Sequence, residues 1–127
     1  MPSYLKTAAT AENIWLGLAE IFQPNCQIAV VARSPVPQID TYLAGAIKAM
    51  ANGFRLSLKS GESLPLSTLP FYPGREAFAA DINQLIELFG DLLGCPMIGL
   101  RLEILIQAMC PRFHVDNTGI RLLCTYR

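Results

Sequence analysis

The only histidine of this sequence sits in the run CPRFHVD, residues 110–116. His114 and Asp116 are two apart, and in an extended segment alternate residues share one face with Cα atoms roughly 6.5 Å apart. At that spacing an imidazole nitrogen and a carboxylate oxygen can converge on one ion, while Phe113 and Val115 turn toward packing. Two such ligands plus a distant second histidine make the facial triad of ferrous oxygenases, whose opposite face stays open for dioxygen and a co-substrate. Cys110, four before His114, offers a soft third ligand that shifts preference toward zinc, and Pro111 excludes helical i, i+4 geometry between them. The same residues also read as the entrance to a turn, because Asp116-Asn117-Thr118-Gly119 is turn chemistry that Asp116 can cap.

Other side chains near the motif carry two readings each. Arg101 and Glu103 share a strand face, so Arg101 can bind the carboxylate of a cofactor or pair with Glu103 on the surface. Tyr126 can donate a hydrogen bond to an oxo acid or pack with its hydroxyl at a rim. Arg112, Arg121 and Arg127 give a local positive bias suited to an anion or to plain solvation. Hydrolytic chemistry is disfavoured, since the single histidine follows Cys110 without an elbow motif around a nucleophile.

The elements that must position these groups follow from periodicity. After Thr10, a suitable N-cap, Ile14, Trp15, Leu18, Ile21 and Phe22 recur at helical spacing until Pro24. QIAVV, residues 27–31, reads as a buried strand. Pro37 opens a second helix with Ile39, Leu43, Ile47 and Met50 on one stripe and Gly53 at its end. Phe54, Leu56 and Leu58 alternate with polar residues as a half-buried strand, and the Pro- and Gly-rich stretch 60–74 reads as an ordered loop. The clearest helix covers 78–93, with Phe78, Ile82, Leu85, Ile86, Phe89, Leu92 and Leu93 on one face and Gly94 closing it. Alternation then predicts a strand over 98–107, paired antiparallel with a β-rich run at 120–126, and the 78–93 helix packed on one face.

Composition bounds the class. The 127 residues fit one domain, 1–127, able to bury roughly two thirds of the surface exposed by the unfolded chain. Ten basic and ten acidic residues cancel, and no basic run is present, which argues against nucleic acid. Hydrophobic content is 52%, yet every apolar stretch is interrupted well short of the ~20 residues of a membrane span. The start MPSYLKTAAT lacks the pattern of a secretory signal, so a cytoplasmic location is expected. Four cysteines without CxxC are then expected as reduced thiols, each a small core hydrophobe.

The run CPRFHVDNTGIRLLCTYR, preceded by IGLRLEILIQAM, resembles the signature of an uncharacterised bacterial family, domain of unknown function 1826. The likeness is tight over residues 100–126 and looser over the 78–93 helix and IFQP, residues 21–24. It implies a family longer than this chain, with a Gly-rich, Trp-containing segment and a later His-Arg-Ser-Pro-like motif beyond the TY. That layout resembles the cupin-like (double-stranded β-helix) oxygenases that use 2-oxoglutarate and ferrous iron. What carries over is His114 and Asp116 as ligands for Fe(II) or Zn(II); the distal histidine and the co-substrate arginine have no counterpart, so 2-oxoglutarate is expected only if a C-terminal segment is supplied.

The expectation is therefore an α+β fold: a mixed αβ region packed on the start of an antiparallel, cupin-like sheet that is incomplete at its C-terminus. A homo-oligomer, or a partner covering the C-terminal strand edge, is expected with it. Functionally the alternatives are an oxygenase-like protein and a non-catalytic or degenerate metal-binding or interaction domain.

Overall fold

A computed structural model of the protein describes residues 7–8, 11–26, 28–104 and 120–126. Its elements in chain order are β1 (Thr7–Ala8), α1 (Ala11–Leu18), β2 (Ala32–Arg33), α2 (Pro37–Ala46), β3 (Phe54–Lys59), α3 (Arg75–Leu93) and β4 (Met97–Leu102), with 3-10 turns at Ala19–Phe22, Ile47–Met50 and Leu66–Thr68. The fold is mixed helix and strand, as the sequence reading has it. Thr10, the expected cap of α1, lies outside the described residues.

The sheet at the centre is small. β3 and β4 pair antiparallel from Phe54 opposite Leu102 to Lys59 opposite Met97, and β1 and β2 form a separate two-residue parallel bridge. Among the described residues the partner of β4 is thus β3 and not the 120–126 run, which has no regular structure; β4 ends at Leu102, and residues 105–107 of the strand expected over 98–107 lie outside the described residues. Alternation alone cannot choose between these partners. β3 is joined to β4 through α3, which lies across the pair and buries Phe78, Ala79, Ile82 and Ile86 against Leu58 and Ile98. The described strands form no double-stranded β-helix.

α2 supplies the other wall of the core. Pro37 occupies the first turn, where its missing N–H costs nothing, and Ile39, Tyr42, Leu43, Ala46 and, one turn on, Met50 are buried. Ile47, assigned to the stripe by spacing, is 43% exposed; Tyr42 takes the central position instead. Its ring stacks on Phe78 at 5.4 Å and its hydroxyl donates to the Pro70 carbonyl at 2.8 Å, so a polar tip is satisfied at the base of the core.

The loop between β3 and α3 is held as expected for one rich in leucine. Leu64 and Leu69 are buried, and Asn83 Oδ1 of α3 accepts from the Leu64 N–H at 2.7 Å. Phe71 departs from that expectation, standing out from the surface with the Arg75 guanidinium 4.6 Å above its ring. At the far end of α3, Gly94 adopts φ +62°, a left-handed conformation that glycine takes at little cost, and its N–H closes on the Gly90 carbonyl at 2.7 Å.

The predicted buried strand at 27–31 is not formed. Only Ala32–Arg33 pairs, Ile28 and Val30 are about half exposed, and Gln27 lies outside the described residues. A β-rich run becomes a strand only where a neighbour supplies a ladder, and β1 offers two residues. What this stretch does make is a close approach to α1. A Cβ on Gly17 would come within 2.5 Å of Val31 Cγ2, so glycine is needed there for the two segments to touch. Val31, Ile14, Leu18 and Leu88 form a second small apolar cluster beside the main core. Trp15, placed by spacing on the apolar face, is 37% exposed.

Candidate functional site

α3 carries more apolar surface than the core consumes. Leu85, Phe89, Leu92 and Leu93 are only partly buried and line a groove of about 1240 Å³. Its other walls are α1 with the following 3-10 turn, Cys26, residues 28–31 and 33–36, the start of α2 at Ile39 and Asp40, and residues 120–126. Drug-sized pockets run about 300 to 1,000 Å³, so this is a broad cleft. Most of the lining is aliphatic or aromatic, and the charges on it are Arg33, Asp40, Asp81 and Arg121.

One polar cluster crosses this apolar wall. Arg33 Nη1 and Nη2 donate to the two Asp81 oxygens at 2.6 and 3.0 Å, a two-pronged grip in which both side chains are mostly shielded from water. The Tyr126 hydroxyl donates to Asp81 Oδ2, and Arg33 Nη2 also reaches Cys124 Sγ at 2.9 Å. The Tyr126 ring meets Phe78 edge-on at 5.0 Å. Three stretches of chain distant in sequence, at 33, 81 and 124–126, are tied at this point.

The electrostatics follow from these contacts. The bond to Asp81 raises the Arg33 pKa further above its ordinary value, against the opposing effect of burial. Burial, and after it the bond to Asp81, raises the Tyr126 pKa, so its hydroxyl is a donor across the physiological range. Burial raises the Tyr42 pKa as well.

The structure separates the two candidate cofactor contacts. Arg101, on β4, donates to Glu103 at 3.0 Å on an exposed face and is absent from the groove lining. Tyr126 lines the groove, with its hydroxyl turned inward to Asp81 instead of lying at a rim. His114, Asp116, Cys110 and Arg112 lie outside the described residues. Among the described residues no group of three or more His, Cys, Asp or Glu side chains is placed to hold a metal ion. Cys26, Cys95 and Cys124 are unpaired by any disulfide; half-buried Cys95 packs against the main core as a small hydrophobe does, whereas Cys26 is half-buried outside it and Cys124 is exposed. No helix among the described residues is long and apolar enough to cross a membrane.

Arg33 and Asp81 were not singled out by motif. Asp81 did carry a signal, because a carboxylate three after Phe78 and four before Leu85 borders the apolar stripe of α3. Arg33, beside Ser34-Pro35, carried none.

Comparison with known proteins adds one positive finding. The family model described as Protein of unknown function (DUF1826) matches residues 15–127. No curated protein and no solved structure matches the chain.

Proposed function

The chain belongs to the DUF1826 family of proteins of unknown function, and from that premise we propose that it is a non-catalytic binding domain of the cytoplasm. In this reading the groove takes a mainly apolar small molecule, and His114 and Asp116 supply a two-ligand metal half-site a few residues before the segment 120–126 that lines it. The observation that carries the reading is the anchoring of residues 120–126. That segment lines the groove and is fastened to α3 through Tyr126 and to Arg33 through Cys124. Asp116 is four residues before Ile120, a length of chain of at most about 14 Å. An ion held by the pair would sit a short length of chain from the groove lining.

His114 and Asp116 are two of the three protein ligands of a facial triad, which takes two histidines, so the pair by itself supports metal binding and carries no oxygenase reaction. His114 and Asp116 would hold Fe(II) or Zn(II) with water in the remaining positions, so binding is weak. Arg101 belongs to no such site in this reading; paired with Glu103, it acts on the surface.

Calorimetric titration with zinc tests the half-site. Wild type should bind weakly, His114→Ala should lose the binding, and Cys95→Ala should leave it unchanged. Affinity should fall as pH drops through the imidazole range near about 6.5, because only neutral histidine is a ligand. Equal binding by wild type and His114→Ala would overturn the proposal.

A further inference from the structure

We infer that the outer face of the β3–β4 sheet is a docking surface for a second copy of this chain, and that the element it receives is the solvent-facing stripe of α3. This goes beyond the groove reading and does not depend on it.

Among the described residues the sheet is covered by α3 on one side only, and the other side exposes Arg55, Ser57 and Lys59 on β3 opposite Arg101, Gly99 and Met97 on β4. Arg55 and Arg101 are direct cross-strand partners. Like charges at that separation repel, and an opposing anion relieves the repulsion. Glu103 offsets Arg101 only in part, since both side chains are substantially exposed and exposed pairs are weak enough to exchange partners. Between the charged ends, Ser57 faces Gly99, and a Cβ built on Gly99 would meet nothing within 4 Å. The centre of the face is therefore low and flat, with cations at its rims.

α3 carries the complement. Glu76, Glu87 and Asp91 are exposed and fall on the side of the helix opposite Phe78, Ile82 and Ile86, with exposed Ala80 between the first two. Eleven residues of helix separate Glu76 from Glu87 by about 16 Å, and four residues of strand separate Arg55 from Lys59 by about 13 Å. Long side chains at both ends close that difference, and Ala80 sits where the sheet face is lowest. The formal charge of zero for the chain thus conceals a segregation, cationic on the outside of the sheet and anionic on the outside of α3. Because α3 covers the inner side of the sheet, the two surfaces face opposite ways. One molecule cannot satisfy itself; the contact is head-to-tail between copies and favours open-ended association.

Sedimentation velocity on the full chain tests this, with zinc absent so that the half-site is silent. The wild type should self-associate with rising concentration at low salt and dissociate at high salt. Arg55→Glu with Lys59→Glu, and separately Glu76→Lys with Glu87→Lys, should each weaken association about tenfold or more. An equimolar mixture of the two double variants should associate again, because each carries the face the other lacks, and the circular dichroism of both should match wild type. A monomeric wild type at all concentrations would overturn the inference, as would association indifferent to salt and to both charge reversals.

Discussion

Arg33 and Asp81, 48 positions apart, are joined by two hydrogen bonds of 2.6 and 3.0 Å at the wall of a mainly apolar groove. Replacing one partner leaves the other shielded from water without its counter-charge. Asp81→Asn or Arg33→Ala should cost about 1 to 3 kcal/mol in urea denaturation, discounted from the value for a fully buried pair because the Arg33 side chain is 22% exposed. Arg101→Ala, which breaks an exposed pair, should stay within about 0.5 kcal/mol of wild type. Equal costs at the two sites would contradict this ranking.

Tyr126 links stability to alkaline pH. Its pKa is raised in the folded state, mainly by burial, so the folded protein favours the neutral phenol. The resulting stability is fully present below the unfolded tyrosine pKa of about 10 and is lost as pH rises above it. Tyr126→Phe should be less stable at neutral pH by about 1 to 3 kcal/mol, the worth of a hydrogen bond to a charged acceptor. It should also lose stability less steeply above about pH 10, with Tyr42 still titrating. Parallel alkaline profiles for variant and wild type would argue that Tyr126 is not held by Asp81.

Gly17 should tolerate no side chain while Val31 lies against it. Gly17→Ala places a methyl carbon within 2.5 Å of Val31 Cγ2, and such overpacking costs about 1 to 3 kcal/mol. Val31→Ala alone should be mildly destabilising, and the double variant should be more stable than the two separate losses add up to. Additive losses in a double-mutant cycle would mean that the two segments do not touch.

How far the fold was legible depended on whether each signal was local. The stripe of α3, its closing Gly94, Pro37 at the start of α2 and the alternation of β3 are set within a few residues, and each was read from them. Strand pairing was not local. Residues 98–107 and 120–126 have similar patterns, and only the position of α3 across the sheet gives β4 to β3. QIAVV has the composition of a strand, but the ladder takes only the Ala32–Arg33 that follows it, and Ile28 to Val31 line a groove instead. For the site, Tyr126 could be named from its place after the HxD motif. Its hydroxyl acceptor, Asp81, is 45 residues away and was hidden in the polar side of an amphipathic pattern.

The proposed half-site of His114 and Asp116 precedes by four residues the groove-lining segment that begins at Ile120. Paramagnetic manganese ion titrated into isotopically labelled protein reports directly whether the two are close, because it broadens amide resonances near the bound ion. Wild type should lose the Ile120 and Leu122 signals early, with little change at Arg55 or Ser57 on the outer sheet face, and His114→Ala should show no selective loss. Identical broadening in wild type and His114→Ala, or sparing of Ile120 and Leu122 in wild type, would contradict the proposal.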